Sequence, residues 1–249
     1  MNESRRIALL GLLVPGAVLV LWQVVAFAKS SPLFPGPIEV TQAIIRNWHE
    51  IVSNLGVTLM RAAAGFALAT VIMVPLGIFL GRVRWLGEAV SPVIDLVATL
   101  PPPAIVPLVM LFAGTGDAAK IVIITYAAGM PLIMNTYEAS HTIHPMFSRV
   151  ARSLHLTRFE TMLLIDLPSS LPMIATGARL AVASSLLVSI TSEMLLATNG
   201  IGVYLQRSQE NFQIGSGLAG IAFISAVGIV INALAYRIEQ KLLFWHYRR

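Results

Sequence analysis

Residues 62–81 read AAAGFALATVIMVPLGIFLG, an uncharged run held between Arg61 and Arg82. A helix that crosses the hydrocarbon core of a bilayer needs about 20 mostly apolar residues, and this stretch supplies them. Working outward, similar runs occupy about 7–28, 90–113, 121–138, 176–197 and 216–237. The first would reach about 33 Å as a helix. The third is interrupted by Pro101, Pro102, Pro103 and Pro107. The expected fold is all-α: a polytopic membrane protein of about six transmembrane helices, in one domain over residues 1–249.

Composition agrees. Of 249 residues, 56% are hydrophobic and 12% charged, against about 25% charged in a soluble domain. Half the usual charge does not cover a water-soluble globule, so lipid is the main solvent. A soluble enzyme, a disordered chain and a nucleic-acid binder are disfavoured. The net charge of +5 is read as basic residues at span ends, with no nucleic acid as partner. The chain has no cysteine, which excludes disulfides, thiolate metal sites and a Cys nucleophile.

Six spans put both termini on one side, and Lys/Arg counting places that side in the cytoplasm. The inner segments then hold Arg5, Arg6, Arg82, Arg84, Arg149, Arg152, Arg158, Arg179, Arg237, Lys241, Arg248 and Arg249. The outer segments hold Lys29, Arg46, Arg61, Lys120 and Arg207. Trp22, Trp85, Trp245 and Tyr247 fall near span ends, where amphipathic rings favour the interface. Arg5, Arg6 and the Ala26-Phe27-Ala28 stretch resemble a cleavable signal peptide. The apolar run exceeds the roughly 7–15 residues of a signal's core, so 7–28 is read as a retained helix.

Between the spans, residues 34–37 (Phe-Pro-Gly-Pro) form a break. Residues 38–55 then space Ile38, Ile44, Ile45, Trp48, Ile51, Val52 and Leu55 as one amphipathic helix at the outer surface or packed on the bundle. The inner loop, about 141–172, is unusual. It carries Arg149, Arg152, His155, Arg158, Glu160 and Asp166 beside Met146, Val150, Leu154, Phe159, Met162, Leu163 and Ile165. It reads as two short amphipathic helices, with Pro145 in a first turn and Pro168 and Pro172 ending the second. Such a loop either docks a cytoplasmic partner or covers its own bundle.

The chemistry of enzymes is missing. No G-x-x-x-x-G-K-[ST] phosphate loop occurs, the apparent H-E-x-x-H at His49-Glu50 ends in Ser53, and Gly215-Ser216-Gly217 lacks the first glycine of G-x-S-x-G. His141 and His144, at i and i+3 with no further ligand, are read as interfacial residues rather than a metal site. No catalytic, cofactor or metal site is expected.

Ionisable residues within spans are functional candidates. Glu193 is the clearest, about 21 Å along its helix from Arg179, with Ser189, Thr191, Ser192 and Asn199 nearby. It lines a path or is a structural carboxylate. Asp95 and Glu138 are read as interfacial anchors. Pro103 and Pro107 must break their helix, which marks a pathway or a packing kink. Free backbone N–H groups beside that break are expected to help bind an anion. Gly65, Gly77 and Gly81, and Gly215, Gly217 and Gly220, are read as permitting close helix approach. These readings also fit a secondary transporter or channel that works without an ATPase.

Residues 149–155, Arg149-Val150-Ala151-Arg152-Ser153-Leu154-His155, followed by Asp166-Leu167-Pro168, resemble the E-A-A–x3–G–x9–I-x-L-P loop of bacterial ABC-importer permeases. Supporting segments are Phe34-Pro35-Gly36-Pro37, Thr58-Leu59-Met60-Arg61 with Gly65-Phe66, Pro103-Ala104 with Pro107-Leu108, Thr176-Gly177-Ala178-Arg179-Leu180, Ser192-Glu193-Met194 and Asn199-Gly200-Ile201-Gly202. Nearly the whole chain is similar to the nitrate/sulfonate/taurine branch. The resemblance implies a multi-pass permease subunit of the bacterial inner membrane, lining the path of a small anionic solute by alternating access. It also implies a second permease copy as homodimer and two cytoplasmic ATPase subunits that bind ATP and Mg. A periplasmic or lipid-anchored binding protein would deliver the substrate. The coupling helix that docks on the ATPase would be about 147–156. Arg149 and Val150 stand where the family has Glu and Ala, and His155 stands where it has Gly.

Overall fold

The computed structural model describes residues 3–29 and 31–244. The expected interfacial Trp245 and Tyr247, and the basic Arg248 and Arg249, lie outside the described residues, as do the side chains of Arg5, Arg6 and Arg158. All regular structure among the described residues is helical. The order is α1 (Glu3–Lys29), α2 (Pro37–Arg46), α3 (Trp48–Arg82), α4 (Arg84–Ala98), α5 (Pro102–Ala113) and α6 (Asp117–His141). There follow α7 (Pro145–Ser153), α8 (Arg158–Thr161), a π-helical turn (Met162–Asp166), α9 (Leu167–Leu196), α10 (Ile201–Glu210) and α11 (Ile214–Leu242).

Four helices are long and apolar enough to cross a membrane: Trp48–Arg82, Asp117–His141, Phe159–Leu196 and Ile214–Leu242. α4 and α5 make a fifth if counted as one span, but they meet at 95°. In α1 the apolar stretch Leu13–Lys29 is shorter. Against an expected six, the described residues give four long spans, a broken fifth and, in the 27-residue α1, the apolar stretch Leu13–Lys29.

The centre of the bundle is α3 packed on α6, and α6 on α9. Small residues on one stripe of α3 allow this approach. A Cβ at Gly65 would sit 2.4 Å from Ile124 Cγ2, and one at Gly77 would sit 2.7 Å from Thr136 Cβ. One at Gly81 would meet Ser140 Cβ at 2.6 Å and the Tyr137 carbonyl at 2.8 Å. Lipid gives helices no hydrophobic drive to associate, so close van der Waals packing takes its place. Of the second glycine group only Gly220 is tight, 2.8 Å from Leu205 for an added Cβ, while Gly215 and Gly217 have room.

Long-range contacts override local pattern at several places. The expected continuous helix over 38–55 is divided at Asn47 (φ −101°, ψ 15°). The Asn47 amide donates to the Tyr204 hydroxyl at 3.0 Å and to Ser216 Oγ at 3.1 Å, which holds α2 against α10 and α11. The second half of that segment becomes the first turns of α3. Pro168 and Pro172 do not end a helix: Pro168 lies in the first turn of α9 and Pro172 inside it. The Leu167 N–H bonds to the Met162 carbonyl, five residues back. The widened turn takes up the bond that Pro168 cannot donate. His141 and His144 do not share a helix: His141 ends α6 beside Tyr137, and His144 caps α7.

The proline break also differs from expectation. Pro101, Pro102 and Pro103 carry no N–H, and the Ala104 N–H donates to the Pro101 carbonyl at 2.9 Å. Residues 101–104 therefore leave no backbone donor free. On the other side of the break the Tyr126 hydroxyl bonds the carbonyls of Val97 (2.6 Å) and Leu100 (2.9 Å).

Gly81→Val should destabilise the chain by about 1–3 kcal/mol through overpacking, seen as a lower melting temperature in detergent. Gly16→Val, with nothing within 4 Å of its Cβ, should leave the melting temperature unchanged.

Candidate functional site

Asn54, Thr58 and Arg61 stand at i, i+4 and i+7 on α3, one polar stripe on an apolar helix. Arg61 is 2% exposed, although flanking a predicted span, and Glu193 on α9 is 0% exposed. Arg61 Nη1 donates to Glu193 Oε1 at 2.8 Å and to the Asn199 carbonyl at 3.0 Å. Its Nη2 also bonds Asn199 Oδ1. On the other side its Nε donates to Asp117 Oδ1 at 2.9 Å, and Nη2 lies 2.7 Å from the same oxygen. Lys120, also buried, reaches Asp117 at 3.3 Å. Two cations and two carboxylates balance, as burial of charge requires.

The second oxygen of Glu193 completes a helix start. Glu193 Oε2 accepts from the Thr58 hydroxyl at 2.8 Å and from the Gly202 N–H at 3.1 Å. Thr58 Oγ1 in turn accepts from the Ile201 N–H at 2.9 Å, and Asn54 Oδ1 accepts from the Gly200 N–H at 2.9 Å. The orphan donors at the start of α10 are thus capped by side chains of two other helices. Gly200 sits at φ +110°, and a Cβ there would lie 2.4 Å from the Glu193 carboxyl carbon. Both facts require glycine at this turn.

The structure therefore brings Glu193 and Asn199 together through Arg61. Ser192, buried beside them, donates to the Ser189 carbonyl at 2.9 Å. Pro103 and Pro107 are exposed on α5 and take no part in this cluster. Asp95 and Glu138, read as separate anchors, line one open cavity of about 380 Å³ with Ser91, Asn135 and Tyr137. Asn54, Thr58, Asp117 and Lys120 escape the sequence reading. For Asn54 and Thr58 the signal is the polar stripe on α3, hidden because Arg61 counts as a span flank; Asp117 and Lys120, in the first turn of α6, carry no such pattern.

At the opposite end of α3, Arg82 Nε lies 2.9 Å from Asp166 Oδ2, which ties the 141–172 loop to the bundle. Within that loop, α7 begins with His144 Nδ1 accepting from the Met146 N–H at 3.2 Å. It ends in a Schellman turn: His155 N–H bonds the Arg152 carbonyl at 3.1 Å, and Leu156 N–H bonds that of Ala151 at 3.0 Å. Such a turn needs a left-handed residue, and His155 has φ +53°. A Thr157–Glu160 capping box then starts α8, with Thr157 N–H donating to Glu160 Oε2 at 2.8 Å. Outside, α7 exposes Met146 (63%), Phe147, Val150 and Leu154 (63%). Ala151 is buried; Arg149, Arg152 and Ser153 are exposed.

Two outcomes follow from this geometry. Arg61→Met should cost about 3–5 kcal/mol, because it strands the buried Glu193. Arg61→Met combined with Glu193→Leu should cost less than the sum of the single changes, measured by denaturation of the detergent-solubilised chain. His155→Gly should stabilise the α7 turn by about 1 kcal/mol, seen as roughly fivefold slower exchange of the Leu156 amide.

Comparison with known proteins places this architecture. The family model "Binding-protein-dependent transport system inner membrane component" matches residues 73–244. An aliphatic sulfonates transport permease protein, SsuC, of Bacillus subtilis is 27% identical over 94% of this chain and 87% of its own length. The Escherichia coli taurine transport system permease protein TauC is 27% identical over 91% of this chain and 86% of its own. The Synechococcus elongatus nitrate import permease protein NrtB is 30% identical, covering 87% of this chain and 83% of its own. In fold, the chain is similar to an inward-facing structure of the MetNI methionine ABC transporter, with TM-score 0.70 at 18% identity, over 79% of this chain and 98% of that one. With the family model matching residues 73–244, well over half of its length, this chain belongs to the family of inner-membrane components of binding-protein-dependent transport systems.

Proposed function

We propose that this permease forms the translocation path of an ATP-driven importer for a small anionic solute of the sulfonate, nitrate or taurine kind. Two copies pair as a homodimer in a bacterial inner membrane, with both termini cytoplasmic. Two cytoplasmic ATPase subunits bind ATP and Mg, and a periplasmic or lipid-anchored protein delivers the substrate. The substrate class is supported by the relatives, which are named for sulfonates, taurine and nitrate.

The observation that carries the ATP-driven reading is α7. Met146, Phe147, Val150 and Leu154 stay exposed on a helix whose two ends are both capped. A short helix with so much apolar surface in water gains by being covered. Docking on the ATPase covers it, and the Arg82–Asp166 pair passes its movement to α3. ATP binding drives alternating access only through unequal interaction with the two states, and the loop is where that difference enters. Glu193, Ser192 and Asn199 support the path from the far end by holding α9 and α10 in place, rather than by facing solute.

The tagged chain, purified from its native membrane, should carry a stoichiometric P-loop ATPase. Reconstituted with it, Val150→Asp should reduce ATP-dependent uptake more than tenfold while the melting temperature of the chain stays unchanged. A chain that purifies alone and moves solute in liposomes would establish an ATPase-independent transporter instead.

A further inference from the structure

The charges around α7 specify the chemistry of what covers it, an inference that rests on the docking reading above. The acids of the loop are engaged within the chain: Glu160, on the surface, accepts two bonds from Thr157, at 2.8 and 2.7 Å, and the buried Asp166 holds Arg82. Arg149 makes no ion pair with any described residue. Two residues at about 100° each put it roughly 200° around the helix from the buried Ala151. Arg149 therefore points directly away from the bundle. It flanks the exposed apolar stripe of Met146, Phe147, Val150 and Leu154.

We propose that the ATPase groove receiving α7 has an apolar floor and a carboxylate on the rim opposite Arg149, making Arg149 the residue that selects the cognate ATPase. An apolar stripe edged by an unpaired guanidinium fits such a groove, because Arg presents a planar fork to a carboxylate. A basic rim would be rejected by like-charge repulsion. An anionic lipid surface is the poorer occupant. Lipid-binding segments gather about 4–8 basic residues, whereas the nine-residue α7 holds Arg149 and Arg152. Lipid headgroups also leave no reason to end the helix in a fixed left-handed turn.

The test uses the complex of the full-length chain with the ATPase that purifies with it, identified by mass spectrometry. Arg149→Lys puts an amine at this place, and a carbodiimide then joins that amine to a touching carboxylate as an amide, the reagent leaving as its urea. Peptide mapping separates the new amine at position 149 from the native lysines, Lys29, Lys120 and Lys241. The expected product links position 149 to an Asp or Glu of the ATPase. Arg149→Glu should weaken retention of the ATPase about tenfold, equal to ~1.4 kcal/mol, and raised salt should erase the difference from the parent chain. An unlinked position 149 in an intact complex would overturn the acidic rim and leave the docking reading standing. So would equal or tighter retention of Arg149→Glu, whereas an Arg149-dependent capture on phosphatidylglycerol vesicles in place of the ATPase would overturn the docking reading as well. Absence of any ATPase would overturn both.

Discussion

The Arg61–Glu193 pair is the constraint on which the rest of this structure depends. Two charges taken out of water are tolerated only if every donor and acceptor around them is used. Here they are used by four parts of the chain. Arg61 ties α3 to α9, to the 197–200 turn through Asn199, and to the start of α6 through Asp117. Glu193 and Thr58 then cap α10. Because one carboxylate serves both an ion pair and a helix cap, α10 has no freedom to shift without exposing a charge. The partly open arm is Asp117, 56% exposed against 0% for Glu193.

From that end the bundle is governed by closeness rather than charge. The α3 stripe of Gly65, Ala69, Gly77 and Gly81 lets α6 approach until backbone carbonyls set the limit. The other end is built differently. The 141–172 loop is fixed at its root by Arg82 and Asp166 and is self-capped at Thr157, but α7 itself keeps its apolar side exposed. A closely packed bundle with an uncovered, locally well-formed helix at one end suits the docking proposed above.

Much of this is legible in the sequence, for physical reasons that apply unequally. Long apolar runs between charges announce α3, α6, α9 and α11, because lipid demands both length and apolarity. The glycines on α3 are readable, since a helix has few other uses for them. The division at Asn47 is not, because it is made by Tyr204 and Ser216, more than 150 residues away. Pro168 misleads because a π-helical turn can absorb a missing N–H, and nothing local marks such a turn. The proline break is foreseeable, and consecutive prolines remove the donors at 101–103. Glu193 stands out as an ionisable residue within a span. Its partner Arg61 does not, because a basic residue at a span boundary is so common. His155 lacks glycine's freedom, and the backbone takes the left-handed turn regardless.

The most direct measurement is hydrogen exchange, residue by residue, in the detergent-solubilised chain and in its Glu193→Gln variant. If the buried carboxylate organises the far end, the amides of Ile201 and Gly202 exchange slowly in the parent chain. In the variant they should exchange at least about tenfold faster, while those of α7 do not change. Equal protection of Ile201 and Gly202 in the two proteins would contradict the account, because α10 would then be held by something other than Glu193.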